Sequence, residues 1–315
     1  MIVVEQPGLR TTVQDRGRVG LAHLGVPRSG AVDWYSAALA NAIVGNETDA
    51  ALLETTLTGP TLRFETAAVV AVAGAVADVA IDGELVQFGV AATVSPGQRL
   101  SIGTARDGLR SYLAVAGGIA APPVLGSRSS DTLSGIGPSP LVAGDVLPIG
   151  AAPFTSSTPF AEKDGLPSKA MLGSVLPSAG RAVRVVRGPD AAEATMNSLC
   201  SQVFSVSRHA DRVGVRLTGA MVAGGGEAAT AGMVGGAIQL PPDGAPVVLL
   251  ADHAVTGGYP VVAVVVAADL PIVAQARPGA ALRFRAVSMA AAREAWAKVV
   301  EGLASATLSK PSPRR

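Results

Sequence analysis

Charge is scarce in this chain. Asp, Glu, Lys and Arg make up 16% of its 315 residues, against roughly 25% in an ordinary soluble domain. With 25 basic and 24 acidic residues the formal net charge is +1, so nothing marks a nucleic-acid or membrane binder. A surface this poor in charge suits a subunit that buries area against a partner, and equally a monomer of Ala- and Val-rich composition. Cysteine is almost missing. Cys200 alone excludes an internal disulfide and any cysteine-cluster zinc site, and Asn197, Ser198 and Leu199 beside it offer no cation to activate it as a nucleophile. The three histidines, His23, His209 and His253, stand apart without metal-ligand spacing, so no metal site is expected. Long apolar runs are lacking too: Ala67 to Ala77 falls far short of the roughly 20 residues that span a bilayer. The start, M-I-V-V-E-Q-P-G, has neither the basic region nor the apolar core of a signal peptide. A soluble, cytoplasmic protein is expected.

Several catalytic signatures are also absent. There is no G-x-x-x-x-G-K-[ST] for a triphosphate, no G-x-G-x-x-G after a strand and no G-x-S-x-G elbow. Any chemistry must rest on Asp, Arg, Gln, Asn, Ser, Thr and Tyr. That set suits holding and polarising an amide or carboxylate, with a carboxylate as a candidate base.

Apolar residues, at 49%, are enough for real cores, and the length predicts two domains. Residues 1–150 read as short strands around one helix, which Asp33 caps and Gly45 stops, with Tyr35, Leu39, Ala42 and Ile43 on one face. Val79–Ile81, Asp82-Gly83 and Glu84–Val86 spell a hairpin, since Asp-Gly accepts the positive φ of a type I′ turn. Residues 151–180, broken by Pro153, Pro159, Pro167 and Pro177, read as a linker or excursion. A second strand-rich unit covers 181–287, with short helices expected after Asp190 and Asp269. Residues 288–315 form a final helix, capped by Ser288 and carrying Ala292, Trp296, Val299, Val300 and Leu303 on its apolar face, and then a tail. Many short strands between Gly-rich turns favour closed barrels. The expected fold is mainly β, two barrels with a few short helices.

Two glycine-rich loops concentrate the polar side chains. In the first, Gln14-Asp15-Arg16-Gly17 is followed by Gly25 to Asp33. There Arg16 or Arg28 could clamp an anion while Gln14 and Ser29 orient a carbonyl; alternatively Asp15 and Arg16 stiffen the loop as an ion pair. Glu54, in a Leu-rich strand, is either paired in a barrel or directed into a site. The second loop gathers Asp252, Thr256, Gly257, Gly258 and Tyr259 after an apolar run. Gln239, at the end of a strand, could read an amide. The 126–131 loop, G-S-R-S-S-D, is either an anion nest or an ordinary turn. The Asp-Arg pair recurs at Asp211-Arg212.

T-T-V-Q-D-R-G-R-V-G, G-V-P-R-S-G-A-V-D, L-L-E-T-T-L-T-G-P, S-Y-L-A-V-A-G-G-I, S-R-H-A-D-R-V-G-V-R-L-T-G, G-A-I-Q-L-P-P-D-G-A-P and D-H-A-V-T-G-G-Y-P follow one another in order. This series resembles the KipA-like proteins, also called allophanate hydrolase subunit 2 or the C subunit of 5-oxoprolinase, a unit that is also half of the carboxyltransferase region of urea carboxylase. The resemblance runs from about Val3 to Val287. It implies two cyclophilin-like β-barrel domains and a companion KipI-like subunit (allophanate hydrolase subunit 1), with the active site near their junction. It implies either ATP-dependent opening of the 5-oxoproline lactam, with a third 5-oxoprolinase subunit, or transfer of a carboxyl group from carboxybiotin, on a separate carrier, to urea.

For the hydrolase, Asp15 and Asp252 are candidate bases or amide acceptors and Arg16 and Arg212 bind a carboxylate or phosphate. Gln239, Thr256 and Tyr259 orient the small amide or lactam, and ATP binds a non-standard site or the partner. A non-catalytic regulatory role is the remaining alternative. It gains from two departures: A-T-A-G at Ala229–Gly232 where the family has S-E-G, and Ala254-Val255 where it has Gln-Thr.

Overall fold

A computed structural model describes residues 1–151 and 182–308. The expected linker, Ala151 apart, and the tail after Leu308 lie outside the described residues. Two β units carry the chain, each with its own apolar core.

The first unit holds eleven strands in two sheets. β1 (Ile2–Gln6), β4 (Thr61–Phe64), β6 (Val79–Ile81), β7 (Glu84–Val86), β9 (Arg99–Ile102) and β11 (Val146–Leu147) make one, in the order β11-β1-β4-β9-β6-β7. β2 (Thr11–Gln14), β3 (Leu52–Thr56), β5 (Ala68–Val76), β8 (Ala92–Val94) and β10 (Asp107–Val115) make the other, in the order β2-β3-β10-β5-β8. The second sheet is covered on both faces. Leu53, Val70, Val72, Leu113 and Val115 point into the core between the sheets. Their neighbours Leu52, Ala71, Ala73, Tyr112 and Ala114 pack under helix α1 (Trp34–Ile43). Side chains alternate along a strand, so burial on both sides explains why β5 reads A-V-V-A-V-A-G-A-V without polar interruption. Each such fully buried aliphatic side chain stabilises by roughly 1.5–3 kcal/mol.

The second unit closes on itself. β12 (Val183–Arg187), β19 (Val261–Val265), β16 (Ala237–Gln239), β17 (Val247–Leu249), β14 (Gly214–Gly219), β13 (Val203–Val206) and β20 (Ala281–Ala286) form a seven-stranded barrel in that order. It is sealed by the parallel pairing of β12 with β20. Closure leaves no exposed strand edge. A ribbon of β15 (Ala231–Gly232) and β18 (Thr256–Gly257) stands apart from it. Helices α2 (Glu193–Ser201) and α3 (Leu270–Ala274) flank the barrel, and α4 (Met289–Leu308) follows β20.

Local signals hold where their partners are local. Asp33 accepts from Ser36 N at 3.0 Å and caps α1; Asp82 and Gly83, at φ 49° and 87°, turn the β6–β7 hairpin. Ser288 Oγ accepts from Ala291 N at the start of α4. Two expected caps are corrected. Asp190 accepts from Val261 N (2.8 Å) instead of capping α2. Asp269 makes no cap bond and takes the Arg184 guanidinium and backbone N–H instead. In both cases a long-range donor outcompetes the helix end.

The two units interlock through polar groups. Gln275 of the second unit accepts from Leu109 N (2.9 Å) and Arg110 N (2.8 Å) of the first, and donates to Arg110 O and to the Asp33 carboxylate (both 2.8 Å). Arg110 returns hydrogen bonds to Ala274 O and Asp211 O. Helix α4 crosses back to the first unit, where Trp296 lies against Trp34 (centroids 4.8 Å apart) and Val299 and Leu303 pack on α1. Replacing Gln275 with Ala strands several buried polar groups at this junction. The expected loss is at least about 3 kcal/mol of unfolding free energy in urea titrations, since each unsatisfied group costs roughly 1–3 kcal/mol.

Candidate functional site

Four segments meet at this junction: 14–18, 28–33, 126–132 and 250–253. Their centre is Arg212, only 2% exposed. Its Nε and Nη2 grip both Asp252 oxygens (2.9 and 3.0 Å), Nη2 also donates to Gly30 O (2.7 Å), and Nη1 pairs with Glu54. Glu54 Oε2 accepts from Val32 N and Tyr112 Oη, both at 2.9 Å. Asp252 Oδ2 accepts further from Thr132 N and Oγ1 (2.9 and 2.7 Å). Glu54 and Arg212 were expected to bind substrate and Asp252 to act as base. All three are buried, and the hydrogen bonds of the Asp252 carboxylate go to Thr132 and Arg212 alone. Burial by itself would raise the Asp252 pKa; the Arg212 charge and the Thr132 donors overcome it and hold the carboxyl below its usual range. Arg212 is shifted upward, its burial outweighed by Glu54 and Asp252.

Asp15 lies one loop away. Ser127 and Ser129 hydroxyls donate to its Oδ1 (2.6 and 2.5 Å), as does Gly17 N (2.8 Å), while Arg128 N donates to Oδ2 (2.7 Å). Burial pushes its pKa up, and these four donors bring it net below the ordinary value. The turn needs Gly17: at φ 81°, a Cβ there would lie 2.4 Å from Arg28 O. No ion pair joins Asp15 to Arg16. Arg16 points outward, its side chain 69% exposed, and pairs with Asp49.

Of the expected residues, Gln14, Asp15, Ser29, Glu54, Arg212 and Asp252 come together through these loops. Gln14 Nε2 donates to Ser130 O (3.0 Å), and Ser29 N donates to Ala251 O (3.1 Å). Gln239, Thr256, Gly257, Gly258 and Tyr259 gather elsewhere, beside the β15–β18 ribbon. Gly257 sits tight under Gln239, whose Nε2 would be 2.4 Å from an added Cβ. Thr256 is exposed, and Tyr259 is 42% exposed. The two departures in sequence meet here: Ala231 and Gly232 pair with Gly257 and Thr256, and Met233 N donates to Val255 O. Two surface hollows, of about 560 and 240 Å³, open elsewhere on the protein. They are lined by Asp82, Arg99 and neighbours, and by Arg216, Met221 and Asp243, and include none of the expected residues.

Sequence reasoning named Gln14, Ser29 and the 126–131 loop but missed Arg18. Among the described residues, eight buried side-chain atoms have no hydrogen-bond partner. Six of them, Gln14 Oε1, Arg18 Nη1, Ser29 Oγ, Arg128 Nε, Ser130 Oγ and Asp131 Oδ2, belong to the loops just described. An unsatisfied buried polar group costs roughly 1–3 kcal/mol, so their concentration makes these loops the candidate site. Ser29 adds backbone strain, with φ 56° on a residue that carries a side chain. Arg18 was overlooked because Arg16, beside it in D-R-G-R, offers the same chemistry. Only burial separates the two, Arg18 being 2% exposed.

Residues 24–286 match the carboxyltransferase domain, subdomain A and B. The chain belongs to this family. It is 36% identical to the C subunit of the 5-oxoprolinase of Escherichia coli, over 94% of both chains. It is 34% identical to the urea amidolyase of Lachancea kluyveri, of which it spans 17%. Among solved structures, TTHA0988 superposes with a TM-score of 0.80 at 40% identity, over 90% of this chain and 55% of that one. The Kluyveromyces lactis urea carboxylase superposes at 0.83 and 30% identity, over 99% of this chain and 30% of that one. The 5-oxoprolinase and urea amidolyase relatives are a component of an enzyme complex and a longer enzyme. In this carboxyltransferase-domain chain no described helix is long and apolar enough to cross a membrane.

Two outcomes follow from the buried charges. Asp252→Asn or Glu54→Gln leaves Arg212 partly unpaired in the interior, and each is expected to cost about 3–5 kcal/mol in chemical denaturation. The acid side of the stability profile carries a second signature. Asp15 and Asp252 have folded pKa values below their unfolded ones, so their contribution is complete above about pH 3.9 and is lost as pH falls through the folded values. Asp33, raised by burial, works in the opposite sense, its contribution being lost as pH rises between its unfolded and folded values. Melting temperature against pH should therefore drop steeply below about pH 4, and less steeply in Asp15→Asn.

Proposed function

We propose that this chain is one subunit of a multi-subunit, ATP-dependent amide or lactam hydrolase of the 5-oxoprolinase kind, acting with a KipI-like companion and a third subunit. The observation that carries this reading is the extent of its likeness to the C subunit of 5-oxoprolinase, 94% of each chain. In this role the junction loops bind the planar amide. Asp15 and Asp252, both held ionised, serve as fixed negative charges rather than proton acceptors, because a general base works best with a pKa near the working pH. The base and the nucleotide then come from the companion subunits. A triphosphate does not suit Arg212, whose guanidinium is already engaged by Glu54 and Asp252. Tyr259, Gln239 and the β15–β18 ribbon form a second face, which in this reading meets the companion.

A carboxyltransferase role, moving a carboxyl group from carboxybiotin to urea, is the second reading. It is favoured by the family match and by the structural likeness to urea carboxylase. Biotin would arrive on a separate carrier, and its ureido ring, like a lactam, sets an N–H next to a carbonyl, so the polar set suits it as well.

Co-expression with the companion subunits followed by a coupled ADP-release assay separates the readings. The hydrolase reading expects release that depends on 5-oxoproline; its absence from pure, assembled subunits would end that reading. Biotin-dependent labelling of urea by bicarbonate would establish the second in its place.

A further inference from the structure

One exposed turn is built against its own conformational preference. Pro122, Pro123, Val124, Leu125 and Gly126 are consecutive exposed residues, all but the glycine with apolar side chains. Val124 and Ser127 exchange backbone hydrogen bonds (2.7 and 3.2 Å), so Leu125 and Gly126 make a two-residue turn with φ 53° and 80°. Such a left-handed pair suits Asn-Gly or Asp-Gly, because a leucine side chain at positive φ crowds the backbone carbonyl. The chain uses the preferred residue in the β6–β7 turn, where Asp82 and Gly83 take φ 49° and 87°. At Leu125 it keeps instead an aliphatic side chain that is 52% exposed. A Cβ added at Gly126 would meet nothing within 4 Å, so the tip stands clear of the rest of the chain. Backbone strain and exposed apolar surface thus coincide, and the folded chain recovers neither. The base of the turn is nonetheless held firmly. Buried Arg18 donates from Nε to Val124 O (3.2 Å) and from Nη2 to Ser129 O (2.6 Å), one bond to each leg, and the two prolines stiffen the approach.

We propose that the 122–127 turn is a docking knob whose tip, Leu125, inserts into an apolar pocket rimmed by carboxylates on the KipI-like companion subunit. A rigid, preorganised knob loses little freedom on docking. Its surroundings set the chemistry of the pocket. Val19, Leu24 and Leu133 on the neighbouring loops add exposed aliphatic side chains, and Arg18 N donates to Arg28 O (2.6 Å), joining those loops to the knob. The charge left at this surface is positive. Arg28 is exposed and Arg128 half-buried, neither with a carboxylate partner among the described residues. The acids of the same loops face inward: Asp15 spends both oxygens on four donors, and Asp131 is buried. A companion subunit fits this surface better than a second copy for two reasons. The matching unit makes up 55% of the TTHA0988 chain, so there it is tethered to further polypeptide. The ribbon already assigned to the companion also starts close by, since Asp252 accepts from Thr132 and Thr256 of β18 follows four residues later. One partner can therefore cover both. The identity of the partner rests on the hydrolase reading above; the knob itself rests on the turn.

Titration calorimetry of the full chain with the purified KipI-like subunit tests the knob through Leu125→Asn, for which strain and docking predict opposite changes. Asparagine suits the turn, so the melting temperature of the isolated variant should equal or exceed that of the wild type. Its affinity for the companion should fall about tenfold or more. Arg28→Glu should weaken the same association, and by a larger factor at low salt than at high salt. A leucine that merely supports the fold gives the reverse pattern, a lower melting temperature with unchanged affinity, and that result overturns the proposal. So does an unchanged affinity at any melting temperature, or a wild-type chain that fails to bind the companion. Self-association of the wild type in sedimentation, lost in Leu125→Asn, would put a second copy in the companion's place and overturn the assignment. Association that depends on Leu125, in an assembly without 5-oxoproline-dependent ADP release, leaves the knob standing and removes only the hydrolase reading.

Discussion

One guanidinium ties the two halves of this molecule together. Arg212, from the barrel, reaches Glu54 on the central sheet of the first unit, Asp252 in its own unit, and the Gly30 carbonyl between them. Burying a cation is costly unless it is fully paired and hydrogen-bonded, and here two carboxylates and a carbonyl meet it. The two halves cannot separate without exposing the cation or stranding its partners. Gln275 adds a neutral counterpart at the same junction, bonding to backbone groups of β10 and to Asp33. These contacts set the relative placement of the loops at 14–18, 28–33 and 126–132 against the 250–253 turn.

That placement accounts for the division of labour among the polar residues. Groups nearest Arg212 are consumed by the junction, and their charges are stabilised by it. One loop further out, the same backbone scaffold presents Arg18, Gln14, Ser130 and Asp131 with atoms to spare. The depressed pKa values of Asp15 and Asp252 suit fixed negative charge better than proton transfer.

Much of the fold was legible from short-range patterns. The mainly β character, α1 with its Asp33 cap, the Asp82-Gly83 hairpin and the Ser288-capped final helix all depend on partners a few residues away. The family was legible as well, because its loop motifs occur in order along nearly the whole chain. The candidate site was legible only in outline. Gln14, Asp15 and Ser29 lie where the junction loops meet, but Tyr259 and Gln239 belong to a separate face beside the β15–β18 ribbon. Asp190 and Asp269 look like helix caps in sequence, yet they bond to groups tens of residues distant.

The amino-acid order alone settled the elements whose hydrogen bonds and apolar faces close locally: turns, capped helices and alternating strands. Tertiary structure decided which charges are buried and which remain available. The Asp-Arg pair shows this most directly. At Asp15-Arg16 the arginine turns to solvent and meets Asp49, whereas at Asp211-Arg212 it becomes the buried link between units. The shared dipeptide gives no hint of that difference, because desolvation and ion pairing depend on what the rest of the chain brings within about 4 Å.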